Sequence, residues 1–536
     1  MNKHAGSERN LTLVMDLYEL TMAYNYFKQG NKDQLVYFDM FYRKNPDNGG
    51  FAVFAGLQQL IECIKNLHFS EGDIEYLRSL QKFDEDFLDY LLDFKFTGSI
   101  YAMKEGTPVF PNEPLITVKA KFIEAQIIET MLLVTVNHQS LIATKAHRVV
   151  QEAKGRPVME FGARRAQGYD SATYGARAAY IGGVAGTATV SAGEMFDIPV
   201  VGTMAHSFVQ SFDSEYEAFK AYALTYPDDC VLLVDTYDTL KSGVPHAIEI
   251  AKEVLEPMGK KLKGIRLDSG DISYLSKRAR AMLDVAGLTY VSISASNSLD
   301  EYLIRSLLNQ GAQLDSFGVG ENLIVSKSSP VFGGVYKLVA IEKNGQIIPK
   351  IKISENTEKI TNPGYKRVYR LFENETGKAI ADLIAFYDEE IDCTKDLTIY
   401  HQSDIWKFKT IEADTYTVEE RRLKILGMLA EQRPFTMRML ERTLAVLCGE
   451  NIDENNPNYK VDLDADNYKL TVRLAMSSEN VFSDVIKLLD RIVPCNLVVD
   501  VELLYNRHKE LAQYTHEQLS EFTHEELKKN YALNRR

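Results

Sequence analysis

A chain of 536 residues, 45% apolar and 25% charged, has the balance of an ordinary globular protein and enough length for two to four domains, each with its own core. A formal net charge of −14 argues against a surface that wraps nucleic acid. The five scattered cysteines form no CxxC pair, there is no run of about 18 apolar residues, and MNKHAGSERN lacks a signal-peptide core. The expectation is therefore a cytoplasmic protein without disulfides, structural zinc, membrane or nucleic-acid partners.

Residues 11–30 read as a strand end followed by an amphipathic helix, and residues 97–120 as two short strands around the turn-rich EGTPVFPNEP. A long helix follows from Ile123 to Lys154, with Gly155 as its C-cap. Next come six short β-rich runs with helix-competent segments between them: PVMEF, IPVVGT, CVLLV, GIRL, YVSIS and SFGV. Polar or glycine residues follow each at once: GARR, MAHS, DTYD, DSGD, ASNS and GENL. Spacings of about 25–45 residues are the rhythm of βα units around a parallel sheet, in which functional side chains gather past the strand C-termini. After about residue 410 the texture changes. Glu419–Glu431, Thr436–Leu447 and Ser478–Ile492 read as helices, YKVDLDADNYKLTVRL as a hairpin and NLVVDVELLY as a strand. The repeat YTHEQL/FTHEEL, spaced by eight, holds two capping boxes. The expected domains are an N-terminal α+β domain to residue 155, a catalytic α/β barrel over 156–410 whose late strands return to the first domain, and an α+β module over 411–536 that carries no catalytic residue.

No GxxxxGKS or GxxxxGKT is present, and GVGENL is not GxGxxG, which disfavours a kinase or a dinucleotide-dependent dehydrogenase. What stands out is a set of loops. EFGARRAQG sets Phe161 beside Arg164 and Arg165, GTMAHSF places His206 after a β-rich run, and VDTYD gives Asp235 and Asp238. GIRLDSGD gives Arg266, Asp268 and Asp271, and SFGVGENLIVSKSS offers glycine amides and hydroxyls for a phosphate. Aromatic faces, guanidinium groups, carboxylates and a histidine suit a phosphorylated sugar and a flat anionic ring. Each has a blander reading. His206 and Phe161 alone would more often be structural, Arg164 and Arg165 could be a surface pair of which one faces the site, and Asp271 could equally cap the next helix. His138 and His147 are expected to be packing or surface residues, and His516 and His524 lack a zinc spacing.

From about residue 10 to 410 the sequence resembles the nicotinate phosphoribosyltransferases, within the type II phosphoribosyltransferases. The stretches that carry this are MDLYELTMAY, FAVFAGL, GTPVFPNEP, EFGARRAQG, GTMAHSF, GIRLDSGD, GVGENL, FGGVYKLVA and NPGYKRVYR. The resemblance implies an irregular α/β barrel with an N-terminal α+β domain, working as a homodimer on nicotinate, phosphoribosyl pyrophosphate and ATP with Mg²⁺. It implies that Phe161, with Tyr18 of a second copy, sandwiches the pyridine ring. Arg266 would meet the carboxylate, aided by Arg164 and Thr203, while Asp268 and Asp235 hold ribose hydroxyls or Mg²⁺. Gly318 and Gly320 would receive the 5′-phosphate, and ATP would phosphorylate His206. Related nicotinamide enzymes carry GTD where this chain has GTAT, with Ala188 at the third position. A carboxylate there, about 4 Å from that of nicotinate, would cost on the order of 4 kcal/mol at an effective dielectric of 20. Glu321 and Val325 replace threonines common in the family's phosphate loop. From about Thr417 the chain resembles instead a small domain of phage tail or baseplate-associated proteins, through PFTMRMLERTLAVLCGE, DNYKLTVRL, RIVPCNLVVDVELLYN and YTHEQL. The rivals are a nicotinamide- or quinolinate-using transferase, disfavoured by Ala188 and His206, and a non-catalytic scaffold built on a decayed enzyme, disfavoured by the intact loop set.

Overall fold

The computed structural model describes residues 10–352, 361–373, 379–388, 397–401, 437–448, 458–464, 469–475, 485–486, 489 and 498–503. The chain divides into two compact units, Met1–Arg367 with Ser403–Arg422 and Val368–Gln402 with Leu423–Arg536.

The first unit opens with coil. Residues 11–14 form no strand but a turn: the Val14 amide donates to the Leu11 carbonyl at 2.9 Å and the Thr12 amide to the Asn10 side chain at 3.0 Å, while the Thr12 hydroxyl donates to the His68 carbonyl at 2.7 Å. Helix Leu17–Lys28 then begins at Asp16, closed by a capping box with Glu19. An antiparallel sheet follows, built from β1 (Leu35–Phe41), β3 (Ser99–Ala102), β5 (Ile116–Lys121), β12 (Val335–Lys343) and β13 (Gln346–Pro349), in the order β13-β12-β1-β5-β3. Central β1, LVYFDMF, is buried from Val36 onward, as its near-continuous apolar run requires. Its one charge, Asp39, is held by Lys366 at 2.7 Å and the Thr117 hydroxyl at 2.6 Å. Within EGTPVFPNEP, β4 (Pro108–Val109) pairs with β2 (Ala52–Val53).

The expected long helix is two, Phe122–Ile127 and Glu129–Glu152, broken at Ile128 (φ −91°, ψ 0°), with Gly155 left-handed at φ 82°. The second is buried over most of its length. Its Lys145 joins the barrel through Glu301 at 2.8 Å and Ser328 at 2.7 Å.

The barrel sheet is parallel throughout: β6 (Val158–Glu160), β7 (Gly186–Thr187), β8 (Val231–Leu233), β9 (Gly264–Leu267), β10 (Ser292–Ala295) and β11 (Ser316–Val319), in the order β7-β6-β11-β10-β9-β8. The run IPVVGT is not a strand. It contributes one parallel bridge, Val200 to Thr187, since Pro199 cannot donate to a ladder. Read cyclically, the order β6, β7, Val200, β8, β9, β10, β11 is a barrel wound in chain order. It stays open between Val200 and β8, where no pairing occurs among the described residues, so the sheet is a half-barrel. Parallel strands send all their C-termini to one side, and the candidate loops with them.

The second unit, which begins at the third residue of β14 (Lys366–Glu373), continues with β15 (Ala379–Phe386) and β16 (Leu397–His401), and the three strands form a sheet in the order β15-β14-β16. Arg370 and Asp382 make a buried ion pair there at 2.6 Å. Further on, β17 (Tyr459–Asp464) and β18 (Lys469–Leu474) form the expected hairpin, and β19 (Val498–Leu503) pairs parallel to β18. Helix Met437–Cys448 buries Leu440, Leu444 and Leu447 with Leu470, Val472 and Leu474. The helix read at 419–431, the Thr436 cap, most of 478–492 and the YTHEQL/FTHEEL repeat lie outside the described residues. Among the described residues no helix is long and apolar enough to cross a membrane.

Glu19 gives the fold a pH signature. It lies buried beside Glu129 and accepts from the Thr130 hydroxyl and amide and the Asp16 amide. Burial is the largest influence and raises its carboxyl to about 7. The folded chain then holds a proton that the unfolded chain has released, so stability falls as pH rises from about 4.5 to about 7. Glu19→Gln is expected to flatten the fall in melting temperature between pH 5 and pH 8. Parallel profiles for wild type and variant would contradict the assignment.

Candidate functional site

Three strand ends bring the chemistry together. Past β8, Asp235 is buried, and its Oδ2 accepts the Asp268 amide at 2.8 Å and the Ser269 hydroxyl at 2.7 Å. One carboxylate thus fixes the turn after β9. The β8 loop is seated by close contact: a Cβ on Gly243 would meet the Val234 carbonyl oxygen at 1.8 Å, so only glycine lets this turn approach the strand end. Within β9, Arg266 donates to the Thr203 hydroxyl and the Met204 carbonyl, each at 2.8 Å, across the open side of the barrel. Burial lowers the Arg266 guanidinium pKa, opposed by Asp268 and Asp235, while Arg164 adds to the lowering. Two buried polar atoms of this cluster, Arg266 Nε and Asp235 Oδ1, have no hydrogen-bond partner among the described residues.

His206 starts helix His206–Gln210 on the loop after Val200. Its Nδ1 lies 3.0 Å from the Thr236 hydroxyl and its Nε2 3.7 Å from Asp268 Oδ2. Asp268 Oδ1 accepts the Ser296 hydroxyl, so this side chain caps no helix, whereas Asp271 does, accepting the Tyr274 amide at 3.0 Å. His206 and Asp268 both remain about 38% exposed, open to a ligand.

Phe161 follows β6, with its amide bonded to the Val319 carbonyl at 2.8 Å. Its ring occupies the space above Gly318, where a Cβ would lie 2.5 Å from Phe161 Cδ2. Gly318 therefore has a packing reason to be glycine that does not depend on a phosphate. Gly320 caps the four-residue helix Glu321–Ile324. The two arginines after Phe161 diverge. Arg165 pairs with Glu321 at 3.7 Å, while Arg164 bears electrostatically on Arg266. Glu321 also binds Lys327 at 2.6 Å, and this pairing holds its carboxyl below the usual range. Ala188 is exposed between buried Thr187 and Thr189.

Tyr18 stands apart. The residue is 44% exposed, and burial with the Glu129 and Glu19 carboxylates raises its hydroxyl pKa; no ring contact or hydrogen bond joins it to Phe161 among the described residues. His138 and His147 are packing residues, their pKa values lowered by burial. Among the described residues no three His, Cys, Asp or Glu side chains form a metal cluster.

The sequence reading missed four side chains. Thr236 lies between Asp235 and Asp238 in DTYD, Ser269 beside Asp268 in DSGD, and Ser296 in ASNS. Glu160, the last residue of β6, is buried, and burial raises its carboxyl pKa while Thr187, Gly162 and Thr189 donate to it. A carboxylate inside the apolar run PVMEF was the available signal.

Comparison with known proteins bears on all of these loops. Three family models match: the N-terminal domain of nicotinate phosphoribosyltransferase at residues 13–137, the nicotinate phosphoribosyltransferase family at 157–378, and its C-terminal domain at 365–471. The last runs through Thr417 to residue 471 and corrects the expected change of ancestry there; the resemblance to phage tail proteins is not supported. Nicotinate phosphoribosyltransferase of Bacillus subtilis is 47% identical over 401 residues, 75% of this chain and 81% of its own length. The Mycobacterium tuberculosis nicotinate phosphoribosyltransferase pncB2 is 45% identical over 374 residues, 70% of this chain and 77% of its own length. The crystal structure of human nicotinic acid phosphoribosyltransferase superposes with a TM-score of 0.64 at 27% identity, covering 76% of this chain and 92% of the other.

Proposed function

The chain belongs to the nicotinate phosphoribosyltransferase family and is an enzyme of that activity, and from that premise we propose which of its residues carry the transfer of a phosphoribosyl group from phosphoribosyl pyrophosphate to nicotinate. The observation that carries the proposal is the convergence of Asp235, Arg266 and Asp268 at the ends of β8 and β9 with His206 on the loop after Val200, His206 and Asp268 being partly exposed.

In this reading Phe161 offers its face to the pyridine ring, and Tyr18 of a second copy covers the other face. The half-exposed Tyr18, apart from Phe161 in its own chain, fits a homodimer with shared sites. Arg266, with its fork already ordered by Thr203 and Met204, takes the nicotinate carboxylate, and Arg164 adds positive charge. The ring nitrogen attacks the anomeric carbon as pyrophosphate leaves, so positive charge grows on the sugar. Asp268, whose side chain is partly exposed, stabilises that charge or holds ribose hydroxyls. Mg²⁺ fits here as an ion carried on the pyrophosphate, which needs only one or two protein carboxylates; Asp235 and Asp268 would supply them. It would neutralise charge on the leaving group. Gly318 and Gly320 would receive the 5′-phosphate. His206, within reach of Asp268, accepts phosphate from ATP and links its hydrolysis to turnover.

Ala188 sets the choice of acid over amide. Ala188→Asp is expected to raise the KM for nicotinate by about a hundredfold, equivalent to about 3 kcal/mol, because solvent at the exposed Ala188 screens part of the roughly 4 kcal/mol of repulsion between two carboxylates about 4 Å apart at an effective dielectric of 20. Its effect on nicotinamide should be under threefold. Steady-state kinetics with both substrates checks this, and an unchanged KM for nicotinate would contradict it.

A further inference from the structure

One buried carboxylate joins the loop that carries Phe161 to the loop that carries Ala188. Glu160 ends β6 and is wholly inaccessible to solvent. Its Oε1 accepts the Gly162 amide, which fixes the turn directly after Phe161. Its Oε2 accepts the Thr187 hydroxyl at 2.6 Å and the Thr189 hydroxyl at 3.4 Å, from either side of Ala188. The second loop is braced further: the Thr189 amide donates to the Thr187 hydroxyl oxygen at 2.9 Å, and the Ala188 amide to the Glu160 carbonyl at 2.9 Å.

A carboxylate taken out of water at a strand end is costly unless donors surround it. Packing alone would be served by valine or isoleucine here. All three donors to Glu160 come from these two loops, so its interactions fix where one loop stands relative to the other. The result is an aromatic ring and an exposed Ala188 held at one separation by groups that themselves face away from solvent.

We infer that Glu160 is a positioning residue for specificity: by clamping the 161–162 turn to the 187–189 loop it sets the width of the slot for the pyridine acid, and with it nicotinate affinity and the preference over nicotinamide. This rests on the reading above that Phe161 and Ala188 border the ring.

Two variants keep the shape and break part of the clamp. Thr187→Val removes the shorter hydroxyl donor, and Glu160→Gln, with a single acceptor oxygen, must turn its NH2 toward either the Gly162 amide or the two threonine hydroxyls and lose that side of the clamp. Purified proteins are compared with nicotinate, nicotinamide and phosphoribosyl pyrophosphate varied in turn. The KM for nicotinate should rise tenfold or more in each variant, and the ratio of kcat/KM for nicotinate over nicotinamide should fall by a similar factor. The KM for phosphoribosyl pyrophosphate should stay within twofold, and Thr187→Ser should restore wild-type values. Should Glu160→Gln fail to fold, Thr187→Val decides alone. A nicotinate KM and acid-to-amide ratio within twofold of wild type in Thr187→Val, or a parallel rise in both substrates' KM, overturns the inference. Phe161→Ala separates the two levels. If it leaves the nicotinate KM unchanged, the ring-site reading fails and takes the inference with it. If it raises that KM while Thr187→Val does not, the inference alone fails.

Discussion

Arg266→Met should lower kcat/KM for nicotinate by about a thousandfold, a loss of about 4 kcal/mol of binding to the transition state. The guanidinium is presented by β9 and held by the Thr203 hydroxyl and the Met204 carbonyl, so little order is lost when a carboxylate arrives. Burial weakens screening and makes an anionic partner worth more than at the surface. Methionine keeps the volume and removes the charge, leaving the substrate carboxylate desolvated and unpaired, the case in which loss is largest. Nicotinamide, which carries no charge, should lose much less. A fall below tenfold for nicotinate, or equal falls for acid and amide, would remove Arg266 from the carboxylate site.

The second large effect concerns energy coupling. His206→Ala should abolish ATP hydrolysis linked to turnover and the transfer of radiolabelled γ-phosphate from ATP to the protein, while slow ATP-independent product formation persists. The imidazole is reachable, at about 38% exposed, and oriented from both sides by Thr236 and Asp268. A phosphorylated histidine stores energy from ATP and takes no part in forming the glycosidic bond, so its loss uncouples the two reactions. A variant that still hydrolysed ATP in step with turnover would show that another residue is the phosphate acceptor.

Much of this site could be read in the sequence because of how parallel sheets are built. An apolar strand that ends abruptly in polar residues marks the strand C-terminus, and GIRLDSGD and VDTYD both put their chemistry there. Asp271 as a helix cap was equally accessible, since capping is a local rule. The rest depended on contacts between distant residues. β7 has two residues and shows no alternation, and IPVVGT has the composition of a strand but a proline where a donor is needed. Glu160 draws its hydroxyl donors from 27 and 29 residues away, which no local pattern announces. The divergence of Arg164 and Arg165 needed the position of Glu321. In the C-terminal stretch, helix and hairpin periodicity was legible, yet a short helix–hairpin pattern recurs in unrelated α+β modules and says little about ancestry.

The most direct test is the product itself. The purified full-length chain is incubated with nicotinate, phosphoribosyl pyrophosphate, Mg²⁺ and ATP, and the mixture is resolved by mass spectrometry. Nicotinate mononucleotide should form, faster with ATP than without it, and nicotinamide in place of nicotinate should give far less product. No nicotinate mononucleotide under these conditions, from protein that is folded and soluble, would contradict the account.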